Sequence, residues 1–205
     1  RSTSPRSRRH GGAEGHPVQR DLKENILNLS STFLATDGDG YELNMGRWSR
    51  LLARPFLDFV GCATRERVLD VGCGTGHLAA AVMERADPLA VCGIDLSPAY
   101  VEHAKAHNTD TRFDFQVGDA CALPCPDKSF DRVLSLLVLH FVPRANDAIV
   151  EMCRVARPGA VVGAAVWDAR GGFVANRLFF DTAAAIDPRA GERRAKNYSR
   201  PLTRP

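Results

Sequence analysis

A glycine-rich turn between an apolar run and a helical run constrains the fold of this chain more than any other feature. In the segment Val68 to Gly76, VLDVGCGTG, the residues Gly72, Gly74 and Gly76 directly follow the apolar run. Because glycine lacks a Cβ, the backbone there can turn sharply and come close to a ligand. The N–H groups at the start of the following helix can then bind a carboxylate. The turn therefore predicts a strand–loop–helix unit with a ligand site at the loop.

Short β-rich runs and helical runs alternate after Arg67. The β-rich runs are Val68–Val71, Ala90–Ile94, Phe113–Val117, Arg132–Leu136 and Ala160–Trp167, and the helical runs are Leu78–Arg85, Ala99–His107 and Asn146–Ala156. Strands that alternate with helices form βαβ units. The pattern predicts an α/β fold, doubly wound, with a mostly parallel sheet and helices on both faces.

The length of 205 residues suits one sizeable domain with flanking segments. Residues 1–20 hold five Arg and one Glu and have little to bury, which predicts a disordered basic tail. Residues 21–66 are expected to form an N-terminal helical segment, and residues 67–188 the ligand-binding α/β domain. Residues 189–205, with five Arg, one Lys and one Glu, form a second basic tail.

The net charge of +3 comes from these two tails, so the body between them is acidic. A nucleic-acid binder would carry its basic residues on the folded surface, and we therefore expect no nucleic-acid partner for the body. No apolar run approaches the ~20 residues that span a bilayer, and none near the start resembles a secretory signal, which favours a cytoplasmic location. The six cysteines form no CxxC pair, so we expect no metal site.

Asp95 follows the glycine loop at the end of the next apolar run, VCGIDLSP. A carboxylate about 20 residues beyond such a loop can accept hydrogen bonds from both hydroxyls of a ribose, as in dinucleotide enzymes. The alternative is that Asp95 only caps the helix that begins near Ser97 and Pro98. The loop and Asp95 by themselves serve a nicotinamide dinucleotide equally well.

Asp70 and Asp119 separate these alternatives. Dinucleotide fingerprints read GxGxxG, whereas this loop reads GxGxG and has Asp70 two places before its first glycine. A carboxylate there suits a cationic ammonium better than a pyrophosphate. The run FDFQVGDACALP brings Asp119 to a strand end, where it could accept a hydrogen bond from the amino group of adenine.

Three segments together resemble the cofactor motifs of class I S-adenosylmethionine-dependent methyltransferases, which have a Rossmann-like fold. The segments are Asp70–Gly76, Gly93-Ile94-Asp95-Leu96-Ser97 and Gly118-Asp119-Ala120. Phe130–Ser135 resembles the fourth strand of that family, and Arg157–Ala160 resembles the turn into the fifth. The resemblance is to the small-molecule branch with the ubiquinone and menaquinone C-methyltransferases (the type 11 methyltransferase domain), and it covers roughly residues 41–168.

The resemblance implies an S-adenosyl-L-methionine cofactor, S-adenosyl-L-homocysteine as product, and methyl transfer to a small-molecule acceptor by in-line displacement. The glycine loop would support the methionine end, Asp95 the ribose, and Asp119 with Ala120 the adenine. Tyr41 or Arg47 would reach the methionine carboxylate, although surface packing is the alternative for both. The implied cofactor-binding residues are Tyr41, Arg47, Asp70, Gly72, Cys73, Gly74, Gly76, Asp95, Leu96, Asp119 and Ala120.

His140 follows the fourth predicted strand, where the resemblance places the acceptor pocket. Histidine titrates near neutral pH, so His140 is the candidate catalytic residue that would orient or deprotonate an acceptor. The alternative is a structural histidine in the pocket wall. A non-catalytic relative that binds the cofactor, or an inactive fragment, is the second interpretation of the whole chain.

The C-terminal part departs from the family pattern. Residues from Gly172 to Ile186 read as one helix, and no strand pattern follows it. We therefore expect the C-terminal antiparallel strand pair to be missing and the run Ala160–Trp167 to be an open sheet edge. Because that pair would help to close the acceptor pocket, we expect impaired activity in this chain. The sequence leaves the acceptor, the attacking atom and the oligomeric state open.

Overall fold

The computed structural model describes residues 38–168 and 174–190. The predicted tail 1–20 and nearly all of the tail 189–205 lie outside this part. The helices are α1 (Gly38–Tyr41), α2 (Arg47–Val60), α3 (His77–Arg85), α4 (Pro98–His107), α5 (Ala145–Val155) and α6 (Val174–Ile186). A π-helical segment (Glu42–Gly46) joins α1 to α2, and a 3-10 turn (Leu139–Phe141) precedes α5. The strands are β1 (Arg67–Val71), β2 (Ala90–Asp95), β3 (Phe113–Val117), β4 (Phe130–Leu136) and β5 (Ala156–Ala165).

The five strands form one sheet in the order β3-β2-β1-β4-β5, and every neighbouring pair is parallel. The first strand along the chain, β1, is central in the sheet. Strands β2 and β3 follow on one side of it, and β4 and β5 are added on the other side. The order therefore reverses between β1 and β4. In open α/β sheets such a reversal leaves a crevice at the carboxyl ends of the strands, where ligands bind. The predicted parallel α/β sheet is confirmed.

Helices cover both faces of the sheet, as predicted. Neighbouring residues of β1 illustrate this, because Val68 packs with α2, α3 and α4, whereas Leu69 packs with α5 on the opposite face. Both residues are fully buried. Parallel strands with two covered faces have nearly continuous apolar sequences, which explains why the β1 and β4 runs show no polar alternation.

Arg132 links the sheet to the N-terminal helical segment. Its guanidinium donates to both carboxylate oxygens of Glu66, at 2.7 and 2.9 Å, and to the carbonyl oxygen of Val60 at 2.6 Å. Arg132 is buried on β4, while Val60 ends α2 and Glu66 precedes β1. This charge-assisted bidentate pair therefore fixes the end of α2 against the start of the sheet.

Strand β5 lies at one edge of the sheet. Its register shifts opposite Phe130 and Arg132, and Gly159 has φ +83°, so the predicted turn Arg157–Ala160 is an irregular start of the strand. Within residues 38–168 and 174–190 no strand pairs with the outer side of β5. Helix α6 agrees with most of the predicted helix, whose first two residues lie outside the described part. None of the described helices is long and apolar enough to span a membrane.

Candidate functional site

The glycine loop after β1 adopts a conformation that only glycine accepts readily. Gly72, Gly74 and Gly76 have φ values of +75°, +53° and +92°, in the region that side chains disfavour. A Cβ on Gly72 would lie 2.4 Å from a methyl group of Val138, so the loop also needs the space that glycine leaves. The N–H of Gly72 donates to the carbonyl oxygen of Ile94 at 2.7 Å, which ties the loop to β2.

A cavity opens beside this loop at the carboxyl ends of β1, β2 and β4. Its lining combines a polar rim near the loop with an apolar wall from the residues after β4. The lining residues are Tyr41, Gly72, Gly74, Ile94, Asp95, Leu96, Ser97, Tyr100, Gly118, Ala120, Leu136, Leu137, Val138, Phe141 and Val142. A smaller polar cavity adjoins it and shares Tyr41, Gly72 and Leu136. The cavities lie at the strand-order reversal, where the fold predicts a ligand site.

Asp95 ends β2 and supports two turns at once. One carboxylate oxygen accepts from the N–H of Gly74 at 2.8 Å, and the other accepts from the N–H of Ser97 at 2.9 Å. Burial raises the pKa of Asp95, and these backbone N–H groups oppose the rise. The cap of α4 is Ser97, whose hydroxyl accepts from the N–H of Tyr100 at 3.4 Å. Asp95 is therefore not merely a helix cap, and it lines the larger cavity.

Asp70 is a buried carboxyl group that lines the smaller cavity. Its Oδ2 has no hydrogen-bond partner among the described residues. Burial, and secondarily the nearby charge of Asp95, raise the pKa of Asp70 to about 7. A cation at Oδ2 would favour the ionised carboxylate, because an opposite charge nearby lowers a carboxyl pKa.

The structure brings Tyr41 to the cavity but not Arg47. The Tyr41 ring lies 4.8 Å from that of Tyr100, and its hydroxyl forms a 3.1 Å hydrogen bond with the hydroxyl of Ser49. Tyr41 lines both cavities. Arg47 is exposed, and its guanidinium stacks 4.5 Å from the ring centre of Trp48. In this structure Arg47 therefore packs at the surface and does not line either cavity.

The remaining predicted cofactor residues differ in position, because three line a cavity, whereas Gly76 and Asp119 line neither. Leu96 and Ala120 line the larger cavity, and Cys73 lines the smaller one. Asp119 lies between two lining residues without lining the cavity itself. Its carboxylate accepts from the N–H of Cys121 at 2.7 Å, and it thereby shapes the turn that presents Ala120.

His140 lies in the 3-10 turn after β4, next to the cavity. Its ring centre is 3.9 Å from that of Phe141. Phe141 and Val142 line the cavity, whereas His140 is not among its lining residues. The structure therefore places His140 next to a lining residue, Phe141, but not in the lining itself.

Several site residues are absent from the sequence prediction. The apolar wall after β4, formed by Leu137, Val138, Phe141 and Val142, could have been anticipated, because β4 lies beside β1 at the strand-order reversal. Glu42 is the other omission: its carboxylate accepts from the hydroxyl of Thr75 and lies 2.9 Å from Nε2 of His77. Glu42 and these partners are more than 30 residues apart, and no local pattern relates them.

The lining of the two cavities is acidic. It contains Asp70 and Asp95, and Glu42 contacts Thr75 and His77 of the smaller cavity. Neither lining includes a Lys or an Arg within the part of the chain that the structure describes. A pyrophosphate would meet carboxylates here without a compensating side-chain cation, whereas a ligand with positive charge fits.

Comparisons with known proteins agree with this geometry. Residues 69–163 match a family model described as a methyltransferase domain. A fatty-acid O-methyltransferase of Mycolicibacterium smegmatis is 37% identical over 46% of this chain and 34% of its own length. The ubiquinone/menaquinone biosynthesis C-methyltransferase UbiE of Dinoroseobacter shibae is 34% identical over 69% of this chain and 59% of its own length. The chain thus spans only part of these relatives.

Solved structures show the same relationship. A Haloferax volcanii methyltransferase, solved in complex with the activator Trm112, is 27% identical with a TM-score of 0.56, over 63% of this chain and 55% of that chain. The YcgJ protein of Bacillus subtilis is 26% identical with a TM-score of 0.54, over 69% of this chain and 60% of that chain. The predicted resemblance to small-molecule class I methyltransferases is thereby confirmed.

Proposed function

We propose that this chain transfers a methyl group from S-adenosyl-L-methionine to a small-molecule acceptor, because residues 69–163 match the methyltransferase domain model. The observation that carries the proposal is a glycine loop flanked by two carboxyl groups, the buried Asp70 and the half-buried Asp95, in cavities whose lining includes no Lys or Arg among the described residues. The cofactor has a cationic sulfonium and an ammonium group, which suit such an acidic site.

The residues present fit the cofactor. The Oδ2 of Asp70 lacks a partner among the described residues, so it can accept from the ammonium group of the methionine moiety. Gly74 leaves the space that a side chain would fill, with Tyr41 lying across it, while Gly72 lets the loop pack against Val138. We assign the ribose to Asp95 and the adenine to the apolar pair Leu96 and Ala120, with Asp119 shaping the turn beside it.

The bound cofactor supplies a methyl group that its sulfonium already activates. The protein therefore needs to align the acceptor and to exclude water, and alignment alone can lower a barrier by roughly 7–11 kcal/mol. Leu137, Val138, Phe141 and Val142 form the apolar wall of the cavity, which would keep water from the transferred methyl group. We propose that His140, the neighbour of the lining residue Phe141 in the turn after β4, orients or deprotonates the acceptor.

The acceptor is proposed only as a class, a small organic molecule. The relatives' names specify O-methylation of a fatty acid, C-methylation in quinone biosynthesis and N-methylation of ajmaline. The same domain therefore serves oxygen, carbon and nitrogen nucleophiles, and these names do not define the acceptor atom in this chain. The proposal includes no nucleic-acid partner and a cytoplasmic location, both of which stay predictions from the sequence.

A second candidate is cofactor binding without methyl transfer. One observation favours keeping it: a structure described as the [4+2]-cyclase SpnF is 27% identical with a TM-score of 0.53, over 72% of this chain and 57% of that chain. A protein similar to this chain is thus described by a reaction other than methyl transfer.

Titration and transfer assays distinguish the candidates. We expect calorimetry to give micromolar binding of S-adenosylhomocysteine, about −8 kcal/mol, and no binding of NADH. Labelled S-adenosylmethionine is then incubated with a fatty acid, a demethylated quinone and a macrolide. Transfer to any acceptor supports the proposal, while binding without transfer favours the second candidate. A folded chain that binds NADH in place of S-adenosylhomocysteine would contradict both.

A further inference from the structure

The carboxylate of Glu42, in the N-terminal segment, binds two residues at the end of the glycine loop and does not line the cavity. The two Glu42 carboxylate oxygens each lie 2.9 Å from Nε2 of His77, and one of them accepts a hydrogen bond from the hydroxyl of Thr75. Burial acts to raise the pKa of Glu42, but the hydrogen bonds from Thr75 and His77 together lower it. Thr75 and His77 flank Gly76, so one carboxylate holds both sides of the last loop glycine.

The backbone of this segment is arranged to allow that contact. Glu42 begins a π-helical segment that ends at Gly46, and single π turns within helices occur frequently at functional sites. A Cβ on Gly46 would lie 2.3 Å from a Glu42 carboxylate oxygen. Glycine at position 46 therefore leaves the space that the Glu42 side chain occupies.

The residue before Glu42 lies over the cavity. Tyr41 directly precedes Glu42, and its hydroxyl lies 3.8 Å from the place where a Cβ on Gly74 would be. We call Gly38–Gly46 the cover segment, because it lies over the glycine loop. None of the α1 residues is buried, and Leu43 is 87% exposed. Apart from the ring contact between Tyr41 and Tyr100, these side chains do little to hold the cover segment.

We infer that Glu42 is a positioning residue that keeps Tyr41 over the cofactor cavity by binding Thr75 and His77. The inference rests on the proposed function, since it takes the cavity to be the S-adenosylmethionine site. Glu42 does not line either cavity and acts through Tyr41.

Three substitutions test this role by calorimetric titration with S-adenosylhomocysteine. We expect Glu42→Ala to weaken binding at least tenfold and Glu42→Gln, which keeps a hydrogen-bonding side chain of the same length, to restore part of the loss. The matched control is Glu84→Ala, which removes an exposed glutamate that also joins α2 to α3, through Arg54 at 3.1 Å. We expect the control to change affinity less than twofold.

A double-mutant cycle with Tyr41→Ala separates positioning from a general structural effect. If Glu42 acts through Tyr41, then Glu42→Ala changes affinity less than twofold in the Tyr41→Ala background. A tenfold loss in both backgrounds would overturn the inference, as would a loss that Glu42→Gln fails to reduce.

Hydrogen exchange of the ligand-free protein makes the test independent of binding. We expect residues 38–46 to exchange at least tenfold faster in Glu42→Ala and in Gly46→Ala than in wild type or Glu84→Ala. Unchanged exchange would overturn the inference even if affinity fell. Failure of the wild type to bind S-adenosylhomocysteine, with faster exchange in Glu42→Ala, would refute the proposed function and leave the anchoring contact supported.

Discussion

Asp70 offers a direct test of the link between the site and stability, through the substitution Asp70→Asn. The buried carboxyl group holds its proton more tightly in the folded protein than in the unfolded chain, since burial raises its pKa from 3.8 to about 7. The contribution of Asp70 to the free energy of unfolding is therefore fully present below pH 3.8, and it is lost as the pH rises through about 7. An asparagine keeps the shape and cannot ionise, so it removes this pH dependence.

The size of the effect follows from the pKa. At ~1.4 kcal/mol per pKa unit, ionised Asp70 costs the folded state about 4 kcal/mol above pH 7. At pH 5 the same reasoning gives about 1.5 kcal/mol. The difference in unfolding free energy between variant and wild type should therefore grow by about 2–3 kcal/mol from pH 5 to pH 8. The position of Oδ2 offers no hydrogen-bond partner among the described residues, so the buried amide of the variant is left unsatisfied, and a loss of ~1–3 kcal/mol offsets part of the gain at both pH values.

Urea unfolding at pH 5 and pH 8 measures this difference for Asp70→Asn and for a matched control, Asp114→Asn, at an exposed position of β3. We expect a pH-dependent difference for Asp70→Asn and a constant one for the control. We also expect Asp70→Asn to weaken S-adenosylhomocysteine binding at least tenfold. A stability difference for Asp70→Asn that is equal at pH 5 and pH 8 would refute the reasoning.

Three further substitutions probe the loop, the buried ion pair and the proposed catalytic residue. Gly72→Ala should abolish S-adenosylhomocysteine binding in titrations, because the new Cβ meets Val138. The control is Gly159→Ala, since Gly159 also has a positive φ but nothing lies within 4 Å of its Cβ position. This control should lower the free energy of unfolding only by the ~1–2 kcal/mol of backbone strain and leave binding intact. Arg132→Met should lower the free energy of unfolding in urea by ~3–5 kcal/mol, since it strands the Glu66 carboxylate; a loss below 1 kcal/mol would argue against the pair. His140→Ala should reduce turnover at saturating acceptor ~10²–10⁴-fold with S-adenosylhomocysteine affinity unchanged, and undiminished turnover would remove His140 from the mechanism.

The sheet and the glycine loop could be predicted from the sequence because their causes are local. An apolar run followed by three alternate glycines limits the backbone to a strand and a sharp turn, and the structure shows positive φ at Gly72, Gly74 and Gly76. The spacing to Asp95 depends on one helix and one strand, so it too can be estimated along the chain. Both carboxyl groups, Asp70 and Asp95, lie at the cavities as expected.

The parts that the sequence could not supply depend on contacts between distant segments. Glu42 meets Thr75 across 33 residues, through a π-helical segment that no apolar periodicity indicates. The position of Arg47 in the sequence predicts a contact with the methionine carboxylate. An exposed guanidinium can form several alternative contacts, however, and in this structure it stacks on Trp48. Asp119 uses its carboxylate to close a turn onto Cys121, which strand-end position alone does not reveal.

Calorimetric titration of the chain with S-adenosylhomocysteine, repeated on Asp95→Ala, tests the central claim most directly. We predict micromolar binding, about −8 kcal/mol, that the substitution abolishes, because Asp95 both lines the cavity and holds the Gly74 N–H. A folded wild-type chain that binds no S-adenosylhomocysteine, or an Asp95→Ala variant that binds it as tightly as wild type, would contradict the assignment of this cavity to the cofactor.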